Sequence, residues 1–278
     1  MTKITVRDIS LSFLDLKVLE SVNLELGDHE FCVVLGPSGA GKTTLLRMLL
    51  SQIHPTSGHI LIDSVPIDVE PQTDRGVVFQ KYSVFPHMNV LQNVMVGPQM
   101  QAAPVLGRLF GAARDILRER ATALLEKVGL GSSLLKYPSQ LSGGMQQRLA
   151  IAQALIMEPK VLLLDEPFGA LDQSTKKSMH KLILELWQQN KMTIVMVTHD
   201  IQEAFTLGTR VLMIDRDPVT KNNSTVSTIT RDLRLDPSRK PYLDVFEGNG
   251  DDSASMNAIF TKWETRVSDA IIKKQTVQ

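Results

Sequence analysis

The sequence predicts an α/β fold with a parallel β-sheet at its centre, an antiparallel β subdomain and an inserted α-helical subdomain. Strands that are buried on both faces of a parallel sheet occur in a sequence as continuous apolar runs. Residues 161–164, 194–197 and 211–214 are such runs. Between the first two, apolar residues recur at helical spacing over residues 179–187, which predicts a strand–helix–strand unit.

The other two parts of the fold are predicted by different patterns. Short β-like stretches within residues 2–35 and at residues 58–63 indicate the antiparallel β subdomain. Helical patterns over residues 114–128 and 145–157 are separated by glycines and a proline, and they indicate the inserted helical subdomain.

The composition is that of an ordinary globular protein. The chain has 278 residues, of which 43% are hydrophobic and 22% charged, enough for one large core or a core with a subdomain. Thirty basic and thirty acidic residues cancel, so no global positive field favours nonspecific nucleic-acid binding. Cys32 is the only cysteine, which excludes a disulfide framework and a multi-cysteine metal site. We expect no nucleic-acid partner.

Residues 36–44 predict a phosphate-binding loop and therefore a P-loop NTPase core. They follow the apolar run of residues 31–35 and precede a helical pattern, which is the required order of strand, loop and helix. Glycines let backbone N–H groups converge on phosphate oxygens, Lys42 approaches the β- and γ-phosphates, and Thr43 holds Mg²⁺. The helix directs its N-terminal dipole at the anion. The expected ATP-binding residues are Gly36, Pro37, Ser38, Gly39, Ala40, Gly41, Lys42, Thr43 and Thr44.

Two carboxylates follow the apolar run of residues 161–164 directly. Asp165 and Glu166 are thus expected at the carboxyl end of a buried strand, where α/β sheets place their ligands. In a P-loop enzyme the first acid organises Mg²⁺ and its waters, and the second polarises the water that attacks the γ-phosphorus. Alone, the pair is equally compatible with a solvated strand end. Together with the loop it predicts hydrolysis of a nucleoside triphosphate.

A second anion site is predicted by residues 141–148, Leu-Ser-Gly-Gly-Met-Gln-Gln-Arg. Ser142 can cap a helix, and Gly143 and Gly144 allow a phosphate to approach its N-terminus. At this segment the chain resembles the ATP-binding-cassette (ABC) family, over about residues 2–216. The segment is similar to the family's signature motif.

The resemblance implies roles for four further residues. Gln80, after Gly-Val-Val-Phe, resembles the Q-loop glutamine, whose amide contacts Mg²⁺ and the attacking water and senses the transport subunit. Asp172, in Gly-Ala-Leu-Asp, resembles the D-loop aspartate, and His199, in Val-Thr-His-Asp, resembles the switch histidine that touches the γ-phosphate. Phe13 stands where the family places an aromatic that stacks on adenine.

These observations together give a complete set of expected site residues. Catalysis is assigned to Lys42, Gln80, Glu166 and His199. Mg²⁺ is assigned to Thr43, Gln80 and Asp165. Contacts to ATP outside the loop are assigned to Phe13, Ser142, Gly143, Gly144 and Asp172.

The resemblance also implies partners. Two cassettes, this chain and a second copy or a homologous cassette, would pair head to tail, with each ATP between the loop of one and the signature segment of the other. Residues 81–94 resemble importer cassettes, and Tyr82, Phe85 and Met88 are expected to be exposed for a permease subunit, the alternative being packing within the helical subdomain.

The whole pattern is closest to the nitrate, sulfonate, taurine and bicarbonate importers of bacteria, with His87 where that group often has tryptophan. The expected solute is a small anion such as nitrate, sulfonate or taurine, delivered indirectly by a solute-binding protein. No apolar run approaches the roughly 18 residues of a membrane span. We therefore expect a peripheral protein at the cytoplasmic face of the inner membrane.

The alternative function is that of a soluble, non-transport ABC ATPase in DNA repair or translation. The stretch between Gln80 and Leu141 is too short for the long coiled coil of repair ATPases, and the motifs occur once rather than twice. A regulatory cassette without turnover would lack Glu166 or His199, and both are present.

Four consecutive regions are expected. They are residues 1–85, the first part of the ATP-binding core with the antiparallel subdomain; 86–157, the helical subdomain with the signature; 158–216, the second part of the core; and 217–278, a C-terminal extension. A hairpin around residues 222–223 and an amphipathic helix over residues 259–271 are predicted within the extension.

Overall fold

The computed structural model describes residues 3–14, 16–67, 72–80, 83–103, 107, 109–216 and 226–235. The chain divides into the units Met1–Arg234 and Leu235–Gln278, and the elements below belong to the first. The predicted turn at residues 222–223, the predicted helix over residues 259–271 and Tyr82 lie outside the described residues.

The described residues form ten β-strands and six α-helices. The strands are β1 (Ile4–Phe13), β2 (Leu16–Leu26), β3 (Phe31–Leu35), β4 (Ser57–Ile62), β5 (Val65–Pro66), β6 (Arg75–Val78), β7 (Val161–Asp165), β8 (Thr193–Thr198), β9 (Arg210–Arg216) and β10 (Ser227–Arg234). The helices are α1 (Lys42–Leu49), α2 (Val90–Ala102), α3 (Gly111–Lys127), α4 (Gly143–Leu155), α5 (Gln173–Asn190) and α6 (Ile201–Leu207), with short 3₁₀ turns at Gly131–Ser133 and Pro138–Gln140.

The predicted parallel centre is confirmed. Strands β9, β3, β8, β7 and β6 are neighbours in that order, and each pair is parallel. All side chains of β3 and β8 are buried, as are the four apolar residues of β7, which explains their continuous apolar sequences. The carboxyl ends of these strands therefore lie along one edge of the sheet.

The antiparallel portion is also present, although its strands differ in length from the predicted short stretches. Strands β1 and β2 have 10 and 11 residues and form a long antiparallel pair, with β4 on the other side of β1. Strand β10 lies between β2 and β9, so that among the described residues the two portions form one sheet. The hairpin predicted around residues 222–223 implies a strand after the turn, and β10 does pair antiparallel with β9. Its pairing with β2, which joins the two portions, was not predicted.

Helices α2, α3 and α4 lie in the chain between β6 and β7. The predicted helical stretches correspond to α3 and α4, whereas α2 has no counterpart in the predictions. Its N-terminus contains a local signal: Asn89 and Gln92 form a capping box, in which each side chain accepts a hydrogen bond from the other residue's backbone N–H. Buried Asn93 then fixes the preceding segment through hydrogen bonds to both backbone groups of Phe85.

A buried guanidinium connects β10 to the rest of the sheet. Arg210, whose side chain is 6% exposed, donates two hydrogen bonds to the carboxylate of Asp232, at 2.7 and 2.6 Å. It also lies 3.1 Å from Glu30 and donates to the backbone carbonyl of Glu25. These hydrogen bonds raise the pKa of Arg210 and lower that of Asp232. The three strands β2, β9 and β10 thus meet at one charged group.

We predict that Arg210→Met destabilises the fold, because it removes the guanidinium that contacts both the Glu30 and the Asp232 carboxylates. The expected loss is about 2–3 kcal/mol of unfolding free energy, measured by urea denaturation. Lys160→Met is the matched control, since Lys160 contacts Asp63 at 2.9 Å on the exposed surface and should cost less than about 1 kcal/mol. Equal losses of unfolding free energy in the two variants would contradict the stabilising role of Arg210.

The same contact predicts a pH dependence. The pKa of Asp232 is lowered in the folded protein, so its contribution to stability is present above its unfolded pKa of about 3.9 and is lost as the pH falls through the folded value. In Arg210→Met this acid-dependent loss should be smaller than in the parent, as measured by urea unfolding between about pH 5 and pH 2.5.

Candidate functional site

The predicted phosphate-binding loop lies between β3 and α1, and two of its glycines are required by the backbone. Gly41 immediately precedes α1 with φ of 82°, a left-handed conformation that favours glycine. At Gly36 a Cβ would stand 2.2 Å from the backbone oxygen of Ile214 in β9. The loop is therefore held close to the sheet, and its first residue follows the carboxyl end of β3.

Lys42 is held within this loop. Its side chain amine donates hydrogen bonds to the backbone oxygens of Gly36, at 2.8 Å, and Pro37, at 2.9 Å. Burial lowers the pKa of Lys42, against the opposing effect of the carboxylates of Glu166 and Asp165. An ammonium group has three N–H donors, so one is left for a phosphate oxygen.

Thr43 and Asp165 are in contact, although they are far apart in the sequence. The Thr43 hydroxyl, in the first turn of α1, donates to Asp165 Oδ1 at 3.0 Å. Burial at the end of β7 raises the pKa of Asp165, and the hydrogen bond from Thr43 opposes that rise. Two oxygen groups thus lie together beside the start of the loop helix.

Glu166 and His199 form a second contact at the same sheet edge. His199 Nδ1 lies 3.1 Å from Glu166 Oε2, and the Glu166 N–H donates to the Val197 carbonyl at 2.9 Å. Gln80 is near this pair, since its Nε2 and Glu166 Oε2 stand 3.9 and 4.0 Å from the point that a Cβ on Gly169 would occupy. The structure therefore brings together three of the four expected catalytic residues, and Lys42 lies close enough for its pKa to respond to Glu166.

The signature segment begins helix α4. Ser142 caps it by accepting a hydrogen bond from the Met145 N–H, as the sequence predicts. Ser142 and Gly143 are exposed. A Cβ on Gly144 would stand 2.6 Å from Cγ2 of Thr175 in α5, so only glycine fits without movement.

Asp172 caps helix α5. Its carboxylate accepts hydrogen bonds from the hydroxyls of Ser174 and Thr175, both at 2.6 Å, and from their backbone N–H groups. These bonds hold the pKa of Asp172 well below its usual range. Both carboxylate oxygens are therefore engaged in the first turn of α5.

The aromatic residues have varied surroundings. Phe13, at the end of β1, is 49% exposed, and Phe85 is 40% exposed. Met88 is half-buried, which corrects the expectation of an exposed side chain: it lines a cavity of about 470 Å³ with His87, Gln92, Met95, Phe110 and Arg114. Phe85 packs edge-on against His87, with 6.0 Å between ring centroids.

Sequence reasoning missed a charged cluster behind His199. Lys176 in α5 lies 3.1 Å from Glu203 in α6 and 3.4 Å from Asp200. Thr198 donates to Glu203 at 2.7 Å. No local pattern identifies these contacts, because they join separate elements. The available signal was a charged residue among the buried apolar residues of α6.

Membrane-spanning helices were sought in the part of the chain that the structure describes. None of its helices combines the length and the hydrophobicity that crossing a bilayer requires.

Comparison with known proteins places this geometry in a family. The family model described as ABC transporter matches residues 19–169. The nitrate import ATP-binding protein NrtD of Synechocystis is 43% identical over 217 residues, 78% of this chain and 75% of that protein. The taurine import ATP-binding protein TauB of Pseudomonas fluorescens is 40% identical over 201 residues, 72% of each.

Solved structures give the same family. The dimeric structure of MJ0796, a bacterial ABC transporter cassette, has a TM-score of 0.68 and 29% identity, covering 84% of this chain and 99% of that one. A post-hydrolysis dimer of the same cassette, bound to ADP and Pi, has a TM-score of 0.67 and 30% identity over the same shares. The family model covers more than half of the chain, and the predicted fold class is confirmed. The chain therefore belongs to the ABC transporter family and is an ATP-hydrolysing cassette of that family.

Proposed function

We propose that this chain is the ATPase subunit of an importer, and that it couples ATP binding and hydrolysis in a head-to-tail pair to solute uptake through separate permease subunits. The observation that carries the proposal is the pair of contacts Thr43–Asp165 and Glu166–His199, which lie beside the phosphate-binding loop at one sheet edge. Carboxylates and a histidine in this position are suited to activating water against a bound phosphate.

The side chains have separate roles in the proposed reaction. Lys42 and the N-terminus of α1 stabilise the negative charge on the β- and γ-phosphates. Glu166 accepts a hydrogen bond from the attacking water and draws its proton as the new bond between the water oxygen and the γ-phosphorus forms, while the bond from the γ-phosphorus to the bridging oxygen breaks and ADP leaves. His199 holds the γ-phosphate, Gln80 contacts the same water, and Phe13 stacks on adenine.

Magnesium fits the oxygen groups of this site. The described residues contain no cluster of three or more histidine, cysteine or acidic side chains that could enclose a metal ion. Mg²⁺ in nucleotide enzymes is commonly held by one or two protein ligands together with phosphates and water. Thr43, Asp165 and Gln80 would hold it here, where it would neutralise charge on the phosphates.

The signature segment is proposed to complete the site of a second cassette. Ser142 and Gly143 are exposed at the N-terminus of α4, where backbone N–H groups and the helix dipole favour an anion. One triphosphate at the chain's own loop does not need this second helix terminus. The dimeric structures of MJ0796 support such a pairing.

The relatives support a class of solute and a membrane partner for this chain. NrtD and TauB are named for import of nitrate and taurine, and their identities of 43% and 40% support uptake of a small anion. Phe85 is 40% exposed and packs against His87, which lines the cavity, and it would contact a permease subunit at the cytoplasmic face of the membrane. A solute-binding protein would deliver the anion to the permease.

We predict that Glu166→Gln abolishes most steady-state ATPase activity and retains ATP binding. Loss of the carboxylate should lower kcat by about 100-fold or more, because the attacking water loses its base. Lys42→Ala is the contrasting variant: it should weaken ATP binding by at least about tenfold, measured by equilibrium binding of a fluorescent ATP analogue. An unchanged turnover in Glu166→Gln would overturn the assigned role.

We also predict that Gly144→Ala impairs turnover by displacing α4 from α5, and that a second change reverses the effect. The new Cβ meets Thr175 Cγ2, and Thr175→Ser removes that methyl while keeping the hydroxyl bonded to Asp172. Gly144→Ala should lower kcat by about tenfold or more, and Gly144→Ala/Thr175→Ser should recover most of it. ATP binding by the loop should be unchanged in both, and failure of the double variant to recover would contradict the steric explanation.

The importer role predicts a membrane partner. The tagged full-length chain, purified from detergent-solubilised membranes of its own host, should bring down a multi-span protein, and Phe85→Asp should lose it. Leu135→Asp is the control, since Leu135 is 75% exposed in the same helical region. Stimulation of ATPase activity by DNA or ribosomes, without a membrane partner, would favour the alternative class.

A further inference from the structure

Helix α5 and the loop after β8 are joined by a cluster of charged side chains. The Lys176 ammonium lies 3.1 Å from Glu203 Oε1 and 3.4 Å from Asp200 Oδ2. The Glu203 side chain is 4% exposed and that of Lys176 is 16% exposed. Because the contact is shielded from water, the Coulomb attraction between its charges is stronger than in an ion pair on the surface.

Lys176 is the cation that contacts both of these carboxylates. His180, one turn further along α5, lies 4.0 Å from Glu203, but burial lowers its pKa to about 4, so it is neutral at pH 7. Burial also raises the pKa of Glu203, and Thr198 and Lys176 oppose this rise. Among the described residues, Lys176 is therefore the permanent positive charge within 4 Å of Glu203.

Hydrogen bonds connect the two residues next to His199 with Glu203. Thr198, before the histidine, donates its hydroxyl to Glu203 Oε2 at 2.7 Å and accepts from the Asp200 N–H at 3.0 Å. Asp200, after the histidine, caps α6 by accepting from the Glu203 N–H. Both neighbours of His199 are thus fixed to groups that contact Lys176, whereas the His199 side chain itself is 57% exposed.

The start of helix α5 is in turn fixed to the signature helix. Thr175 packs against Gly144, and Arg148 of α4 donates to the Ser178 hydroxyl at 3.3 Å. Lys176 follows Thr175 directly, so it extends from a part of α5 with several tertiary contacts. The contacts with α4 hold this part of α5 in place, so it can in turn fix the position of the loop that carries His199.

We propose that Lys176 is a positioning residue, which fixes the loop around His199 to helix α5 through Glu203 and Asp200 and thereby holds His199 against Glu166. The inference rests on the proposed roles of Glu166 and His199. Lys176 itself touches no reacting atom: its effect passes through Thr198 and Asp200 to the histidine. Loss of the contact should therefore affect the chemical step more than ATP binding.

The test is a steady-state kinetic comparison of full-length variants with Mg-ATP. Lys176→Met should lower kcat by about 10- to 100-fold, with KM for ATP within about twofold of the parent. Lys176→Arg, which keeps the charge, should recover kcat to within about threefold of the parent. Lys181→Met, on the same helix with a side chain that is 80% exposed, is the control and should leave kcat unchanged.

A double variant separates positioning from a general loss of stability. Lys176→Met leaves the buried Glu203 carboxylate without the cation that contacts it and should lower the urea midpoint. Adding Glu203→Gln removes the excess charge, so Lys176→Met/Glu203→Gln should regain much of the midpoint while kcat stays low. Recovery of kcat together with the midpoint would overturn the proposal.

Two further outcomes are distinguishable. A normal kcat in Lys176→Met, with Glu166→Gln inactive, would overturn the role of Lys176 alone. Unchanged activity in Glu166→Gln would instead overturn the proposed catalytic site on which this inference rests.

Discussion

The parallel register of β3, β8 and β7 is the constraint on which the site depends. Leu35 pairs with Thr198, and Asp165 pairs with Val197, so the three strands end at nearly the same level. The residue that follows each strand then belongs to the site. Gly36 of the phosphate-binding loop follows β3, His199 follows β8 and Glu166 follows β7. Burial of both sheet faces stabilises this register, since these strands expose almost no apolar surface to water.

Charged groups at this edge are already hydrogen-bonded within the chain. Lys42 is buried and its positive charge is solvated by two backbone carbonyls, while Asp165 receives a hydrogen bond from Thr43. Such groups are already ordered, so little reorganisation is needed when a charged ligand binds. Burial lowers the pKa of Lys42 and raises that of Asp165, and both shifts show that this edge disfavours isolated charge. A triphosphate and its cation would bring further opposite charge to each of these groups.

The sequence predicted those parts of the molecule whose structure is decided locally. Residues 36–44 predict a phosphate-binding loop, because the glycine spacing and the helix that follows determine its conformation within a few residues. Ser142 predicts a helix cap in the same way, since it bonds a backbone N–H three residues further on. The pairing of β10 with β2 was not predictable in this way, since β2 comes from a distant part of the chain. The contact between Lys176 and Glu203 has the same origin. Side chains that position a catalytic group are chosen by tertiary packing, so a single sequence does not distinguish them from solvated charges.

Helix α5 contacts both the signature segment and the residues around His199. Its cap Asp172 accepts a hydrogen bond from Thr175, and Thr175 packs against the signature glycine Gly144. The next residue, Lys176, contacts Glu203 and Asp200 beside His199. On the proposed head-to-tail arrangement, His199 serves the ATP at the chain's own loop, whereas Gly144 serves the ATP of the partner. A shift of α5 would therefore change both sites of a chain together. Because packed helices move as units rather than deforming residue by residue, this contact gives a physical route by which occupancy of one site affects the other.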